Sequence, residues 1–218
     1  MKKSSLVILI VVLLISLITG LVIYYNLNKT DSLTKECDAK SIIAEKDNCY
    51  NLLAYSANNP DLCEKLSLDA NPPEPFTPET PLENCKDNVN FKIAQESKES
   101  TKCSIIKDLY LKERCLKEIG EETLNLDLCK IKDISSNCNN GVCEEREIYD
   151  INCVTKIGVD TKNIDICEIL KSASPESVAP CYVMLAWKFC DLSICNNKIE
   201  EQDGKDYCTS RVKIICNI

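Results

Sequence analysis

The chain opens with an unbroken apolar run. Residues 6–25 read LVILIVVLLISLITGLVIYY and carry no charge. At about 1.5 Å of rise per residue, a helix of this length spans roughly 30 Å, the thickness of a bilayer's hydrocarbon core. The run is longer than the apolar core of a signal peptide and has no small-residue cleavage site, so an uncleaved anchor is favoured over a cleaved signal peptide.

Two lysines set the predicted orientation of this anchor. Lys2 and Lys3 precede the apolar run, and the positive-inside rule therefore places the N-terminus in the cytoplasm. Everything after the run is then expected outside the cytoplasm. The predicted organisation is a cytoplasmic tip (1–5), a transmembrane anchor (6–25), a juxtamembrane linker (26–34) and a cysteine-rich ectodomain (35–218).

Beyond the anchor, a short polar–apolar pattern recurs around one class of cysteine. The segments NPDLC (59–63), NLDLC (125–129) and NIDIC (163–167) share the form Asn-x-Asp-x-Cys. Two positions before such cysteines stands a residue that favours a helix N-cap, so a short helix, called A, is predicted to start there. These predicted caps are Asp61, Thr101, Asp127, Asp165 and Ser193. Cys37 is taken as the first A cysteine, although Lys35 departs from the cap pattern.

A second class of cysteine is followed four residues later by an apolar side chain. This spacing places both residues on one face of a helix, which is called B. The pairs are Cys49/Leu53, Cys85/Val89, Cys115/Ile119, Cys153/Ile157, Cys181/Leu185 and Cys208/Val212. Acidic residues two positions before four of these cysteines are predicted in the first helical turn, where the helix dipole favours negative charge. They are Asp47, Glu83, Glu113 and Asp206.

The ectodomain therefore reads as six A–B repeats, numbered 1 to 6 from the N-terminus. The second and fourth repeats are longer and contain turn-rich inserts at 71–81 and 135–143, predicted as surface excursions and natural contact elements. Strand signals are sparse, and no Asn-Gly hairpin with strand-like flanks is evident. The predicted fold class is all-α: an N-terminal transmembrane helix followed by a disulfide-stapled helical-hairpin repeat, either a solenoid or an irregular bundle.

Sixteen cysteines, all after residue 36, are expected to form disulfides in an oxidising space. Four pairs share a spacing of 14 positions: Cys49/Cys63, Cys115/Cys129, Cys153/Cys167 and Cys181/Cys195. Spacing alone does not assign connectivity, since Cys49 can face Cys37 or Cys63 across a turn. Pairing within each repeat is favoured because it staples every repeat independently. The expected pairs are Cys37–Cys49, Cys63–Cys85, Cys103–Cys115, Cys129–Cys153, Cys167–Cys181, Cys195–Cys208, Cys190–Cys216 and Cys138–Cys143.

Charge and composition exclude several function classes. Residues 26–218 carry 24 basic and 34 acidic residues, a formal charge of −10, which repels nucleic acid. No histidine is present, which excludes histidine-dependent triads, histidine-ligated zinc and ordinary histidine acid–base catalysis.

At this point the chain resembles the membrane-anchored, cysteine-rich α-helical repeat proteins of archaea. The segments KDNCYNLLA (46–54), NPDLCEKL (59–66) and APCYVMLA (179–186) carry the resemblance, which covers roughly residues 35–218. It implies an extracytoplasmic α-helical repeat, and no activity comes with it. The inserts depart from the pattern.

Candidate chemistry is weak by comparison. Cys138/Cys143 and Cys190/Cys195 have a Cys-x4-Cys spacing that a zinc site tolerates, but disulfides are favoured in an oxidising space. No Cys-x-x-Cys redox motif and no phosphate-binding loop occurs. Glu200 and Glu201 fit a solvated helix face better than catalytic carboxylates. Aromatic residues on the fifth B helix favour core packing over an exposed binding patch; they are Tyr182, Trp187 and Phe189.

We therefore expect no catalytic, cofactor or metal site. The expected function is a binding or structural module at the cell surface, held in the membrane by residues 6–25, with a protein partner or self-association and no nucleic acid. The first alternative is a subunit of a pilin-like filament or envelope lattice, and the second is a thiol-redox or cysteine–metal protein.

Reduction is predicted to collapse the ectodomain. Each short helical hairpin buries little surface, whereas a disulfide that closes a loop of about 15 residues contributes about 3 kcal/mol. Circular dichroism with and without reductant measures this. If helicity and melting temperature stay unchanged on reduction, the claim that the disulfides stabilise the helical hairpins is refuted.

Overall fold

A computed structural model describes residues 2–67, 80–133, 138–139, 142–143 and 146–218. Side chains are described for residues 12–21, 24, 30–67, 80–132 and 146–218. The chain divides into an N-terminal region, Met1–Lys92, and a C-terminal region, Ile93–Ile218. Apart from its last two residues, the predicted insert at 71–81 lies outside the described residues.

A single long helix begins the chain. Helix α1 (Lys2–Asp38) runs through the predicted tip, anchor and linker and ends beyond Cys37. Among the side chains that the structure describes, no helix presents a stretch long and apolar enough to cross a bilayer. Residues 6–11, 22–23 and 25 of the predicted anchor lie outside that set.

In the rest of the N-terminal region, helix α2 (Ile43–Ala57) packs against α1, and the 3₁₀ helix that follows (Pro60–Lys65) packs against α2. Helix α3 (Pro81–Ser97) continues into the C-terminal region. Cys37, Tyr50 and Leu53 form a buried cluster here. The small size of this cluster explains why covalent cross-links matter in the region.

The C-terminal region alternates short elements with longer helices, and one core runs through it from Cys129 to Val212. Its helices, with 3₁₀ helices given by range, are α4 (Ser100–Cys103), α5 (Leu109–Thr123), 3₁₀ Leu126–Cys129, α6 (Ile151–Thr161), 3₁₀ Ile164–Ser172, 3₁₀ Pro175–Ser177, α7 (Val178–Phe189), α8 (Leu192–Lys198) and α9 (Gln202–Cys216).

The B helices are α2, α3, α5, α6, α7 and α9, and each buries the apolar residue that follows its cysteine by four. These side chains are Leu53, Val89, Ile119, Ile157, Leu185 and Val212, all at most 6% exposed. Along the C-terminal region, α5 packs against α6, α6 against α7, and α7 against α9. Within this region, consecutive B helices therefore pack side by side, as in a repeat array.

Every B helix ends in the same left-handed turn. The residue after each helix has a φ between 52° and 58°, and none of the six is glycine. The next residue donates its N–H back into the helix, for example Asn125 to the carbonyl of Gly120 at 2.9 Å and Asn163 to that of Gly158 at 2.9 Å. This is the Schellman arrangement, which satisfies carbonyls at a helix end. The left-handed residues are Asn58, Lys98, Leu124, Lys162, Cys190 and Asn217.

The residue whose carbonyl accepts that bond is small in the first five repeats. It is Ala54, Ala94, Gly120, Gly158 and Ala186 in turn. A Cβ added at Gly158 would lie 2.7 Å from Ile166 Cγ2, in the A element that follows. Small residues recur here because the next A element packs directly on the end of the B helix.

The shared spacing of 14 is the signature of this turn. The left-handed residue comes nine positions after the B cysteine, and the next A cysteine five positions later, as in Cys153, Lys162 and Cys167. Helix α3 departs from it, since Cys85 and Cys103 are 18 apart and Lys98 lies 13 beyond Cys85. The four additional residues make about one helical turn, so the exit direction of the chain is retained.

The predicted A caps were wrong by two positions. The N-caps are the residues directly after the left-handed turn, and the Asn59 side chain accepts from Asp61 N at 3.0 Å. The A elements of repeats 2, 4 and 5 are 3₁₀ rather than α-helices. The residue predicted as cap instead lies in the first turn. The observed caps are Asn59, Glu99, Asn125, Asn163 and Asp191.

Two further predictions about helix ends need correction. Cys37 lies at the end of α1, not at a helix start. Of the four acidic residues predicted in first turns, Glu83 lies there, in a capping box with Thr80. Asp47 and Glu113 lie one turn deeper, where Asp47 accepts from Ser67 N at 2.9 Å and Glu113 from Lys132 N at 3.3 Å. These two hydrogen bonds fix the position of the backbone just after the A element of the next repeat. Asp206 also lies deeper and accepts from Gln202 Nε2 at 2.9 Å.

The all-α prediction was wrong around the second insert. Strand β1 (Lys130–Asp133) pairs antiparallel with β4 (Arg146–Tyr149), and β2 (Cys138–Asn139) with β3 (Val142–Cys143). The register of the outer pair places Ile131 opposite Ile148, a cross-strand contact that favours strands. The missed signal is Asn140-Gly141, a hairpin dipeptide located between β2 and β3.

Replacing a left-handed residue by glycine should stabilise the protein. Lys162 has a φ of 54°, which strains an L-residue, so Lys162→Gly should raise the free energy of unfolding by about 1 kcal/mol. Urea unfolding measures it.

Lys156→Gly is the matched control, because it changes the same residue type in the middle of the same helix. It should lower the free energy of unfolding by about 1 kcal/mol. If both variants lowered the free energy of unfolding equally, the strain assigned to the left-handed residue would be contradicted.

Candidate functional site

All fourteen cysteines whose side chains the structure describes are joined in pairs. Six pairs join the A and B elements of one repeat, and a seventh joins the ends of α7 and α9. Their Cα atoms are 5.5–5.8 Å apart. The pairs are Cys37–Cys49, Cys63–Cys85, Cys103–Cys115, Cys129–Cys153, Cys167–Cys181, Cys195–Cys208 and Cys190–Cys216.

The two Cys-x4-Cys pairs that a zinc site would use behave differently. Cys190 and Cys195 are bonded to different partners, so they do not form a ligand pair. Cys138 and Cys143 face each other in the backbone register of β2 and β3, and their side chains lie outside those described. Within the described part of the chain, no cluster of three or more acidic or cysteine side chains is arranged to hold a metal.

A polar pair flanks the disulfide in three repeats. It joins the residue after the A cysteine to the residue after the B cysteine. Asp38 accepts from the Tyr50 hydroxyl at 2.8 Å, Glu168 accepts from the Tyr182 hydroxyl, and Glu64 pairs with Lys86. Each bond crosses the same A–B contact as the disulfide, so it fixes how A lies on B.

Both tyrosines in these pairs are nearly inaccessible, at 0% exposure for Tyr50 and 1% for Tyr182. Burial, with the hydrogen bond to Asp38, raises the pKa of Tyr50 to about 12. Burial and Glu168 raise the pKa of Tyr182 likewise. The Lys171 ammonium and then the Tyr182 hydroxyl lower the pKa of Glu168. Both tyrosines are therefore neutral, and Glu168 is ionised, at neutral pH.

One surface of the C-terminal region carries an open groove, here called the terminal groove. It consists of two adjoining cavities that share Ala179, Ile199 and Gly204 as lining residues. The first has a volume of about 520 Å³ and the second about 440 Å³. The groove lies between the N-terminal half of α7, the connection from α8 to α9 and the first turns of α9.

The first cavity combines apolar walls with charged side chains, and it is here called the polar cavity. Lys171 and Lys198 line it, and each is paired with a carboxylate, Lys171 with Glu168 and Lys198 with Asp165. Glu200 and Glu201 line the same cavity, are exposed, and make no salt bridge with any residue that the structure describes. The cavity therefore has a surplus of negative charge.

The second cavity is apolar, and it contains the chain's single tryptophan. Val183, Met184, Trp187 and Tyr207 line it. Trp187 packs partly against the core, and Arg211 lies over its ring with the guanidinium carbon 5.9 Å from the centroid. The Nε1 atom of Trp187 is buried and has no hydrogen-bond partner among the described residues.

Sequence reasoning identified the aromatic residues of α7 but not the groove. Tyr182 is a core residue, as the pattern favoured, and Phe189 packs partly against the core. Trp187 packs partly against the core and also lines a cavity, so it combines the two roles that were weighed as alternatives. Glu200 and Glu201 are exposed as expected, but their place at the groove depends on the connection between α8 and α9.

Comparison of this chain with protein-family models, with curated proteins and with solved structures found no match. The functional argument therefore rests on the residues themselves.

Removing one buried hydroxyl should destabilise the N-terminal region. Tyr50→Phe deletes the hydrogen bond to Asp38 and should lower the free energy of unfolding by about 1 kcal/mol at pH 8. Because the pKa of Tyr50 is raised to about 12 from an ordinary value of 10.0, the stabilising effect of the hydroxyl is complete below pH 10. It is lost as the pH rises from 10 to 12, and the difference between wild type and variant should narrow over that range.

Tyr55→Phe is the matched control on the same helix, since Tyr55 is 46% exposed. It should leave stability and its pH dependence unchanged. Denaturant unfolding at several pH values measures both variants. If the difference in unfolding free energy between wild type and Tyr50→Phe stayed constant up to pH 12, the role assigned to the hydrogen bond between Tyr50 and Asp38 would be contradicted.

Proposed function

We propose that the chain is a single-pass cell-surface protein whose disulfide-linked helical repeat acts outside the cytoplasm as a binding module. The observation that carries the proposal is the terminal groove, an open surface with adjoining polar and apolar cavities on a cross-linked scaffold. Clefts that combine an apolar wall with a few polar groups are the usual form of a recognition site.

The compartment is inferred from two independent properties of the chain. The uncharged run at 6–25, preceded by Lys2 and Lys3, has the length and flanking charge of a membrane anchor. Cysteine pairing in every repeat is typical of an oxidising space, which a translocated domain enters. Both properties favour an ectodomain at the cell surface.

Recognition is favoured over catalysis by the charge states in the groove. A general acid or base works best when its pKa lies near the operating pH. Here the pKa of Tyr182 is raised further above neutrality and that of Glu168 is lowered further below it. Both shifts move the groups away from acid–base work and towards fixed structure.

One observation favours a second candidate, a subunit of a pilin-like filament or envelope lattice. Helix α1 runs without interruption from Lys2 to Asp38, so the apolar segment and the first repeat share one helix. A continuous helix of this kind suits assembly through the N-terminal segment as well as anchoring in a bilayer.

The cell-surface proposal predicts that protease added outside intact cells removes the repeat. Limited proteolysis of intact cells, followed by detection of an epitope tag at the C-terminus, measures this. The tag should disappear from intact cells, whereas a cytoplasmic marker protein should survive. Survival of the tag until the cells are lysed would exclude a surface ectodomain.

N-terminal sequencing of the isolated protein separates the two candidates. A start at Met1 or Lys2 supports the anchored module. Processing near Ser4 or Ser5 supports the pilin-like subunit.

A further inference from the structure

We propose that the terminal groove binds an extended peptide segment of a partner protein in which a lysine or arginine stands next to an apolar residue. This inference rests on the proposed function, because it names the ligand class of that binding module. Three features of the groove support it: the apolar cavity, an unused hydrogen-bond donor beside that cavity and the surplus negative charge.

The apolar cavity provides space for one large side chain. Its volume of about 440 Å³ is enclosed by Val183, Met184, Trp187 and Tyr207. Cavities of this size commonly hold ligands, and methionine and aromatic walls adapt to different apolar groups. Burial of a leucine or phenylalanine side chain there would remove apolar surface from water on both partners.

Trp187 supplies a donor that the protein itself does not use. Its Nε1 atom is buried and unpartnered among the described residues, which is costly for a polar group. Because the Nε1 atom is inaccessible in the free protein, a ligand's carbonyl oxygen would satisfy it once the indole turns slightly towards the cavity that Trp187 lines. Every residue of an extended peptide offers such an oxygen, whereas a purely apolar molecule offers none.

The charge of the polar cavity selects a cation. Lys171 and Lys198 are already neutralised by acidic partners, which leaves the exposed carboxylates of Glu200 and Glu201. Because the two cavities share Ala179, Ile199 and Gly204, a cation at these carboxylates lies beside an apolar group in the second cavity. The net charge of −8 for the chain also attracts a basic partner.

The positive charge of Arg211 does not oppose this arrangement. Arg211 follows Glu201 by ten residues, about 15 Å along the axis of α9. It is held against Tyr207 and Trp187, with its Nε donating to the Tyr207 hydroxyl at 3.2 Å. Arg211 lines neither cavity, so the carboxylates of Glu200 and Glu201 set the end of the groove at which a peptide's cation would lie.

Selection from a phage-displayed random heptapeptide library, against the full chain in uncharged detergent micelles, tests the proposal. The enriched peptides should share a lysine or arginine beside a leucine, isoleucine or aromatic residue. An enriched peptide should shift the emission of Trp187, the single tryptophan, when it is titrated into the protein. Enrichment of acidic peptides, of peptides without a basic residue or of none would overturn the proposal.

Two variants with matched controls locate the site. The double variant Glu200→Gln, Glu201→Gln removes the negative charge of the polar cavity and should weaken the binding of the enriched peptide about fivefold or more. Ala179→Phe fills both cavities from an exposed position and should abolish binding. The controls change exposed residues of the N-terminal region: Glu36→Gln with Glu45→Gln, and Ala44→Phe. They should bind the peptide as the wild type does.

Binding that survives in Ala179→Phe, or that is equally weakened in the controls, would show that the peptide binds elsewhere. The protease experiment on intact cells is independent of this result. If the repeat is exposed at the cell surface but the groove variants have no effect, the ligand assignment fails and the proposed function stands. If the repeat is not exposed, the proposed function fails whatever the peptides show.

Discussion

The structure depends on the covalent bond between the A and B elements of each repeat. In repeats 2 to 6 the A element has only four to nine residues, is often 3₁₀, and has too few hydrogen bonds to persist by itself. The disulfide joins it to a longer helix at a fully buried position, as at Cys167 and Cys181. In repeat 5 the same contact is reinforced by the hydrogen bond between Tyr182 and Glu168. Within the C-terminal region, the B helices of these cross-linked pairs then pack against one another, from α5 to α9.

The sequence indicated the helices of this array better than their ends. The two cysteine classes and the apolar residue four positions after each B cysteine were correct because a helical stripe depends on local spacing alone. The caps were misplaced by two residues because the left-handed turn before them, at residues such as Leu124 and Lys162, lacks the glycine that usually marks it. The outer strands were missed because their pairing joins residues 13 to 19 positions apart. The inner pair is local, and it was missed because the dipeptide Asn140-Gly141 was not recognised as a hairpin signal.

The groove could not be inferred from sequence for a different reason. Trp187 belongs to α7 and Glu200 to the short connection from α8 to α9, and their placement at adjoining cavities depends on how that connection runs. The flanking pairs were present in the sequence as Cys-Tyr and Cys-Asp or Cys-Glu dipeptides. They gained meaning only when the disulfides placed position 38 beside 50 and position 168 beside 182.

The nested arrangement of the last four cysteines has a consequence for biosynthesis. In the first three repeats, each cysteine is bonded to the next one along the chain, so an oxidase that acts on a segment as it emerges joins the correct partners in order. Cys190 breaks this rule, since Cys195 follows it five residues later, yet its partner is Cys216. Its thiol has to pass over Cys195 and Cys208 and wait for Cys216, or exchange partners afterwards. Cys129 likewise passes over Cys138 and Cys143 to reach Cys153, so a disulfide isomerase would act chiefly in repeat 4 and at the Cys190–Cys216 bond.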